Sequence, residues 1–222
     1  MDNHTKFNVI IPTRERADVL VHCLRTVVAQ DYQNLNILVS DNFSQDHTRD
    51  VVTSFADSRI RYLNTGRRLS MSHNWEFALS HVTDGWVMFL GDDDGLYPWA
   101  LQKLDALIQA HDVDVVSPTS GFFQWPGHFT DCPEGQLTIP LSNSATVKNS
   151  RQELKRVFLG KLSYNALPSL YRGAASIALI NRARDRNGRF FCSQVPDAYS
   201  IVALSSITDK YLCTNTPIAI AG

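Results

Sequence analysis

Apolar runs of strand length alternate with helical patterns through the first half of the chain. Residues 7–11 and 86–90 are short apolar runs, followed by proline in the first case and by glycine and acids in the second. Between them, Leu20, Leu24 and Val27 recur at the spacing of one helix face. Further strands are predicted at 36–39, 60–63 and 114–117, and further helices around 51–55, 75–82 and 101–108. Strands separated by helices predict a largely parallel α/β sheet, which binds ligands at the carboxyl ends of its strands.

The second half of the chain is less regular. Residues 122–140 carry aromatic side chains among glycines and prolines, which favours loops and hairpins. Ser150 and Glu153 form a capping-box pattern, which predicts the start of a helix. The small apolar stretch 172–180 predicts a strand, and Pro196 predicts the first turn of another helix.

The length of the chain allows one sizeable hydrophobic core, since it has 222 residues. Its 44% hydrophobic and 19% charged residues are typical of a globular domain, and no linker or low-complexity tract divides it. We therefore predict a single domain over 1–222, with a regular half at 6–120 and an irregular half at 121–222. The apolar run at 218–221 ends at Gly222 without a polar tail, so we expect the second half to be truncated.

Net charge and cysteine usage exclude several classes of function. A formal net charge of -1 gives no basic field for nucleic acid. The apolar runs are too short to span a membrane, so we expect no transmembrane segment in this chain. The cysteines show no metal-ligand spacing, which predicts reduced thiols in a cytoplasmic protein. A peripheral position at a membrane stays compatible with this pattern.

Three consecutive acids, Asp92, Asp93 and Asp94, directly follow the apolar run at 86–90 and Gly91. Adjacent carboxylates repel one another, and a bound cation or water relieves that repulsion. Oxygen ligands suit a hard ion such as Mg²⁺ or Mn²⁺, which keeps few protein ligands and is completed by substrate phosphates. The turn therefore predicts a divalent metal site, with a solvated acidic turn as the alternative.

Two further polar clusters follow predicted strands. The cluster Pro12-Thr13-Arg14-Glu15-Arg16 follows the first strand, and Ser40-Asp41-Asn42 follows the second. In a parallel sheet these clusters and the acidic turn converge on one edge. Because an arginine beside a carboxylate-held metal suits a diphosphate, we expect a nucleotide-binding site at this edge.

Four motifs occur in order over about residues 6–120: Ile10-Ile11-Pro12-Thr13-Arg14, the stretch from Val39 to Thr48, Asn74-Trp75-Glu76, and the stretch from Gly85 to Asp94. Together they resemble family 2 glycosyltransferases of the GT-A fold. The resemblance implies a Rossmann-like, mostly parallel central sheet flanked by helices, with a less regular acceptor-side second half. It also implies inverting transfer of a sugar from a nucleotide-sugar donor, usually with a divalent metal.

The resemblance implies a nucleotide-sugar-binding set made of Pro12, Thr13, Arg14, Asp41, Asn42, Arg68, Asp92 and Asp93. In this set Asp41 would meet the base, and Asn42 would stand near it. Arg67 and Arg68 lie in the loop before Asn74, where they could contact the diphosphate. The alternative is that both are ordinary solvated arginines.

The choice of metal ligands depends on how the acidic motif is aligned. The family's motif has the pattern Asp-x-Asp-Asp, with a proline a few residues on. Alignment through Pro98 places Gly91 at its first position and selects Asp93 and Asp94 as ligands. Alignment on Asp-x-Asp alone selects Asp92 and Asp94. The sequence leaves this choice open, and our prediction is Asp93 and Asp94.

The family also uses a carboxylate base near the acceptor. The stretch 194–198 resembles the segment that supplies it, so Asp197 is the predicted catalytic residue. The alternative is that Asp197 only complements a helix N-terminus, where acids are favourable. Asp185, Asp209 and Glu153 are weaker candidates for the base.

The implied reaction moves a sugar from a nucleotide-sugar donor, with UDP favoured, to a glycan or lipid-linked glycan acceptor in polysaccharide or glycoconjugate synthesis. Trp125 is a candidate for stacking on an acceptor ring. The alternative functions are a catalytically silent nucleotide-sugar or glycan-binding module, and a sugar-1-phosphate nucleotidyltransferase. The latter needs a glycine-rich phosphate loop after the first strand, which Pro12-Thr13-Arg14 is not.

Overall fold

The structure of the chain is a computed structural model that describes residues 4–127 and 134–222. Its helices are α1 (Ala17–Val28), α2 (Thr48–Ser54), α3 (Met71–Leu79), α4 (Ala100–Ala110), α5 (Ser150–Phe158), α6 (Ile177–Arg182) and α7 (Pro196–Ile207). Its strands are β1 (Phe7–Thr13), β2 (Leu35–Asp41), β3 (Ile60–Asn64), β4 (Trp86–Phe89), β5 (Gly95–Leu96), β6 (Val115–Gln124), β7 (Gln136–Thr138), β8 (Ala145–Asn149), β9 (Ala174–Ser176) and β10 (Lys210–Ala221).

The strands form one sheet in the order β3-β2-β1-β4-β9-β6-β10-β5, with β7 on β6 and β8 on β10. Strands β3, β2, β1 and β4 are mutually parallel, as are β6 and β10, whereas the short β9 is antiparallel to both of its neighbours. The predicted α/β fold with a mostly parallel central sheet is confirmed. The two halves of the chain contribute to this one sheet.

Helices cover both faces of the sheet, and alternate residues of β1 enter two separate cores. Val9 and Ile11 belong to a core with Leu24 of α1, whereas Ile10 belongs to the opposite core with Leu79 of α3. All of these side chains are fully buried. Burial on both faces explains why the middle of β1 has three consecutive apolar residues, Val9, Ile10 and Ile11, instead of alternating apolar and polar ones.

The predicted strand at 172–180 is wrong in its second part. Only Ala174–Ser176 forms a strand, and Ile177–Arg182 forms α6. The hydroxyl of Ser176 accepts the N–H of Leu179 at 3.1 Å, which caps the new helix and ends the strand. A short run of small apolar residues is compatible with a strand or a helix, so the Ser176 cap determines where the strand ends and the helix begins.

Helix α5 begins where predicted, but its cap is not the predicted box. The side chain of Asn149 accepts the backbone N–H three residues on at 2.9 Å. Ser150 instead donates its hydroxyl to the carbonyl of Ser205 at 2.7 Å, and Glu153 pairs with Arg156. The cap therefore lies one residue earlier than the sequence pattern indicated.

The two longest strands of the second half were underestimated. Strand β6 extends well beyond the predicted 114–117, and its end forms a hairpin with β7, which confirms a hairpin within 122–140. Strand β10 was not predicted. It pairs with β6 through register shifts around Pro217, where polar residues interrupt the apolar pattern. Cys132 lies outside the described residues, and the other three cysteines are unpaired.

Candidate active site

A cleft of about 750 Å³ lies where β1, β2 and β4 end at their carboxyl edge. The polar segments that follow these strands meet there, as expected for a parallel sheet. Two of the residues predicted for the site, Asp41 and Asp94, do not line this cleft. The others do, namely Pro12, Thr13, Arg14, Asn42, Arg68, Asp92, Asp93 and Asp197.

The first two acids of the turn share one arginine. Thr13, at the end of β1, donates its hydroxyl to Asp92 Oδ2 at 2.8 Å. Arg16 places Nη1 3.0 Å from Asp92 Oδ1 and Nη2 2.7 Å from Asp93 Oδ2. Burial raises the pKa of Asp92 to about 6, although the Thr13 hydrogen bond and the Arg16 charge act in the opposite direction. A positive charge therefore lies against both carboxylates.

The third acid, Asp94, has a structural environment. Its side chain is 1% exposed, and its two oxygens accept the N–H groups of Gly91 and Gly222, each at 3.0 Å. Arg172 lies beside it, with Nη1 3.7 Å from Oδ1. Because both oxygens already have donors, Asp94 attaches the acidic turn to the end of β10. The structure does not bring this predicted metal ligand into the cleft.

Asp41, predicted to meet the base, is 1% exposed. Its carboxylate accepts the Ser44 N–H at 2.8 Å, the Tyr62 hydroxyl at 2.5 Å and the Asn64 amide at 3.1 Å. These donors come from the turn after β2 and from β3. Asp41 therefore fixes the polar turn that follows β2, and it is Asn42, one residue later, that reaches the cleft.

Two cationic side chains in addition to Arg16, those of Arg14 and Arg68, line the cleft beside the acidic turn. Asn42 exchanges two hydrogen bonds with the backbone of Leu69, at 2.9 and 2.7 Å, and so positions the loop that carries Arg68. Arg68 lines the cleft, whereas Arg67 does not. Arg14 lines it too, and its buried Nε has no hydrogen-bond partner among the described residues. A buried donor without a partner is expected to meet a ligand group.

Asp197 reaches the cleft from the first turn of α7, which begins at Pro196 as predicted. It lines the cleft together with Gln194 and Val195. Its backbone carbonyl accepts the Ser200 hydroxyl at 2.7 Å, which holds this first turn. Within 4–127 and 134–222, no group donates a hydrogen bond to the Asp197 carboxylate. The carboxylate can therefore accept a proton from a bound ligand.

The weaker candidates for the base have other contacts. The Asp185 carboxylate accepts the N–H groups of Asn187 and Arg189, each at 2.8 Å, and these bonds lower its pKa. The Asp209 side chain is 88% exposed, and Glu153 pairs with an arginine of its own helix. None of the three carboxylates lines the cleft.

Glu76, in the third sequence motif, connects the two halves of the chain. Its carboxylate accepts the N–H groups of Phe190 and Phe191, at 2.9 and 2.8 Å, and the Arg184 guanidinium at 2.7 Å. Helix α3 thereby fixes the segment that leads into α7 and Asp197. Glu76 is a positioning residue and does not itself line the cleft.

The acidic turn fits a divalent ion only through its first two residues. No three or more His, Cys, Asp or Glu side chains in the described part of the chain converge as a metal-binding group. Asp92 and Asp93 line the cleft, whereas the Asp94 oxygens are taken by backbone N–H groups. A hard ion that keeps one or two carboxylates and completes its shell with phosphates and water fits Asp92 and Asp93.

Comparison with protein families agrees with this geometry. The family model described as Glycosyl transferase family 2 matches residues 8–159, which is more than half of the chain. The matched range includes the three strands whose ends form the cleft. The chain belongs to glycosyl transferase family 2. This confirms the resemblance that the motifs carried.

Two curated relatives of this family 2 chain are each 30% identical to it over the aligned residues. It is 30% identical over 161 residues to the GalNAc(5)-diNAcBac-PP-undecaprenol beta-1,3-glucosyltransferase of Campylobacter jejuni, covering 71% of this chain and 49% of the relative. It is 30% identical over 138 residues to a PGL/p-HBAD biosynthesis glycosyltransferase of Mycobacterium bovis, covering 55% and 51%. The chain thus spans about half the length of these curated relatives.

A solved structure shows the same fold over nearly all of the chain. The crystal structure of S. aureus TarS 1-349 aligns with a TM-score of 0.75 and 16% identity, covering 97% of this chain and 60% of TarS. The complex of TarS 1-349 with UDP-GlcNAc aligns with a TM-score of 0.73. At this identity the likeness shows the fold, which confirms the GT-A type of sheet.

Arg16 and Tyr171 line the cleft but were not among the predicted site residues. For Arg16 the available signal was its place in the polar cluster after β1. Tyr171 had no local signal, because it reaches the cleft through a bridge between its backbone and that of Phe89 at the end of β4. The family 2 match ends at 159, so the role of Asp197 is not carried by it.

Proposed function

We propose that this family 2 glycosyltransferase transfers a sugar from a UDP-sugar to a hydroxyl group of a glycan acceptor, with inversion at the anomeric carbon. One observation carries the proposal. A single cleft holds cationic side chains, paired carboxylates and one carboxylate without a donor, in a fold shared with nucleotide-sugar-binding TarS. A leaving diphosphate and a general base both require groups of these kinds.

Arg14 and Arg68 suit the diphosphate of the donor. Both line the cleft beside the acidic turn, and the buried Nε of Arg14 has no partner in the described residues. Guanidinium groups form strong charge-assisted hydrogen bonds to phosphate oxygens. UDP as the nucleotide is supported by an Escherichia coli relative, 30% identical over 101 residues, whose name is UDP-Glc:alpha-D-GlcNAc-diphosphoundecaprenol beta-1,3-glucosyltransferase WfgD.

Asp197 is the proposed base. An acceptor oxygen forms a bond to the anomeric carbon as the bond from that carbon to the diphosphate oxygen breaks. The breaking bond leaves its electron pair on UDP, and the acceptor proton passes to the Asp197 carboxylate. A carboxylate is a weak base towards an alcohol, so proton transfer accompanies attack and does not precede it. Positioning and electrostatic stabilisation supply most of the acceleration.

Metal dependence belongs to the proposal, and Asp92 and Asp93 are the residues that would hold the ion. Mg²⁺ or Mn²⁺ would neutralise negative charge on the leaving diphosphate. The sequence-based prediction was Asp93 and Asp94. The proposed pair retains Asp93 and replaces Asp94 with Asp92. Arg16 contacts only one oxygen of each carboxylate, so an ion held by both residues would lie next to its positive charge.

A lipid-linked glycan is the proposed class of acceptor. Its support is the names of the Campylobacter and Escherichia coli relatives, which contain an undecaprenol diphosphate. No helix in the described residues is long and apolar enough to cross a membrane. Location in the cytoplasm and peripheral contact with a membrane stay predictions from the sequence.

Calorimetric titration of the chain with UDP, GDP and ADP, with Mn²⁺ and with EDTA, tests donor binding. Release of UDP from UDP-glucose and UDP-N-acetylglucosamine tests turnover. We expect UDP to bind more tightly than GDP and ADP, and binding to weaken in EDTA. Absence of binding by every nucleotide would refute the proposal. Binding of UDP without sugar transfer to any acceptor in a glycan panel would instead favour a nucleotide-sugar-binding module.

A further inference from the structure

The cleft at the ends of β1, β2 and β4, where we propose that the donor binds, is called the donor cleft below. A second cavity of about 580 Å³ adjoins it and shares two residues with it. The shared residues are Tyr171 and Asp197, the proposed base. The middle of β6, the segment before β9 and the start of α7 form the walls of the second cavity. Asp197 therefore borders both spaces, so a hydroxyl group bound in the second cavity would lie close to the residue that also lines the cleft.

The walls of the second cavity are rich in hydrogen-bonding groups. In the described residues, the side chains of Ser117, Ser120 and Asn165 have no hydrogen-bond partner, so their polar atoms are available to a ligand. Tyr164 adds an aromatic ring that is 52% exposed. Small polar side chains combined with an exposed ring suit a sugar, whose hydroxyl groups form hydrogen bonds and whose C–H face stacks on aromatic rings.

Arg172 is the one Lys or Arg among the described residues that line the second cavity. Its guanidinium carbon lies 4.5 Å from the centroid of the Tyr171 ring, and Nη1 is 3.7 Å from Asp94 Oδ1. This separation is an ion pair with the buried Asp94 carboxylate, but it is too long for a hydrogen bond, so the guanidinium N–H groups have no hydrogen-bond acceptor among the described residues. The Arg172 N–H donates to the Phe89 carbonyl at 2.8 Å, which fixes its position relative to β4.

The Arg172 backbone has φ of 58°, in the left-handed region that is unfavourable for most residues with a side chain. Backbone outliers of this kind concentrate at functional sites. A strained backbone, a cation with available donors and a polar cavity occur together at this one position. Together they indicate an anionic ligand group in the second cavity.

We infer that the second cavity binds the acceptor, and that this acceptor is a sugar carrying a phosphate ester. Arg172 pairs with the phosphate, Tyr164 and the polar side chains bind the sugar, and one sugar hydroxyl faces Asp197. The inference rests on the proposed function and extends it by giving the acceptor a site and a charge. Recognition of the phosphate separates phosphate-linked sugars from neutral glycans.

N-acetylglucosamine 1-phosphate is a direct probe of the second cavity once the donor cleft is filled with UDP and Mn²⁺. Saturation-transfer NMR titrations would measure its dissociation constant and that of the neutral methyl glycoside of N-acetylglucosamine. Arg172→Asn removes the charge and keeps a residue that tolerates the left-handed backbone. We expect it to weaken binding of the phosphate by roughly 10- to 100-fold, the usual worth of a charge-assisted hydrogen bond, and binding of the neutral glycoside less than twofold.

Three further variants complete the test. Arg172→Lys keeps the charge and should recover most of the affinity for the phosphate. Tyr164→Ala alters an exposed ring and should weaken both probes by roughly five- to tenfold, the worth of one stacking contact. Arg151→Asn is the matched control, since its side chain is 81% exposed on α5 and lies outside the second cavity, and it should change neither affinity.

Equal affinity of the phosphate for the wild type, Arg172→Asn and Tyr164→Ala would overturn the inference. Displacement of the probe by UDP would also overturn it, because the probe would then occupy the donor cleft. If UDP itself does not bind, the proposed function fails, and the same titrations without nucleotide still decide whether the second cavity binds a glycosyl phosphate.

Discussion

The donor cleft and the second cavity are built in different ways. The donor cleft lies where parallel strands β1, β2 and β4 end, and polar residues of the site begin within three residues of the end of each strand. The second cavity takes its walls from the middle of β6, from an irregular segment before β9 and from the start of α7. The residues of the donor cleft come from short segments that follow the strands in sequence. The residues of the second cavity come from distant segments that only tertiary packing brings together.

This difference separates the expected roles of the two regions. In the donor cleft, cations and paired acids lie together and suit a diphosphate. In the second cavity, polar side chains, one cation and Asp197 suit an acceptor. Substitutions in one region should therefore change donor binding, and substitutions in the other should change sugar transfer while donor binding persists.

The strongest test of this separation is Asp197→Asn. The amide keeps the size and polarity of the side chain and loses its basicity, so sugar transfer should fall by roughly 10²–10⁴-fold, the usual worth of general base catalysis. UDP affinity should stay within about twofold, since the change removes no cation or metal ligand. Steady-state transfer assays and UDP titration measure the two effects. Asp185→Asn, a carboxylate outside the cleft, is the control, and normal transfer by Asp197→Asn would move the base to another residue.

Asp93 and Asp94 offer a second comparison between neighbouring acids. Asp93→Asn removes a proposed metal ligand, so UDP affinity should fall by about 10- to 100-fold in Mn²⁺ and by much less in EDTA. Asp94→Asn directs an amide at backbone N–H groups, and should lower the free energy of unfolding by about 1–3 kcal/mol with less effect on UDP. Calorimetry and urea denaturation separate the two outcomes. Equal loss of UDP affinity in Mn²⁺ and EDTA would show that Asp93 is structural.

The donor cleft should also show a pH dependence that comes from Asp92. Its folded pKa is raised from 3.8 to about 6, so the folded state binds more protons than the unfolded state between these values. The free energy of unfolding in EDTA should therefore decrease as pH rises from about 4 to 6. Asp92→Asn should remove this decrease and be more stable than wild type at pH 7 by about 2–3 kcal/mol. Denaturant unfolding measures this. If the free energies of unfolding of wild type and Asp92→Asn changed equally with pH between 4 and 7, Asp92 would not be the source of the pH dependence.

The smallest effect is expected from the two adjacent arginines before α3. Arg68 lines the donor cleft and Arg67 does not. Arg68→Gln should weaken UDP binding by about three- to fivefold, since a partly exposed ion pair contributes about 0.5–1 kcal/mol. Arg67→Gln should leave UDP binding unchanged. Titration with UDP at two salt concentrations measures the affinity of both variants. The loss of UDP affinity in Arg68→Gln should be smaller at high salt.

The same contrast explains how much the sequence could predict. The strands around the donor cleft were predictable because runs such as 86–90 are apolar, short and followed by acids. The sequence could not show that Asp41 and Asp94 would find internal donors. Two of the three donors to Asp41 come from β3, and one of the donors to Asp94 comes from the residue after β10. The sequence alone does not distinguish an Asp that binds a ligand from an Asp whose carboxylate accepts hydrogen bonds from the protein backbone.

The second half was harder because its strands lack a clean pattern. Strand β10 includes Asn215 and Pro217 and pairs with β6 through register shifts, so no alternation marked it as a strand. Strand β9 is three residues long and leads directly into α6. Asp197 was found through the family resemblance and Pro196, whereas Arg172 and Tyr171 depend on contacts distant in the sequence.

The acidic turn is attached at both ends, to β4 of the first half and to β5, which pairs with β10 of the second. Asp94 adds a hydrogen bond to the residue that follows β10. Recombination with related enzymes is therefore constrained. In a chimaera that joins the first half of this chain to the second half of a related enzyme, the new second half would have to supply a strand that pairs with β5, as β10 does here. It would also have to supply an N–H donor to Asp94. Exchange of acceptor specificity is better attempted within the walls of the second cavity than by swapping whole halves.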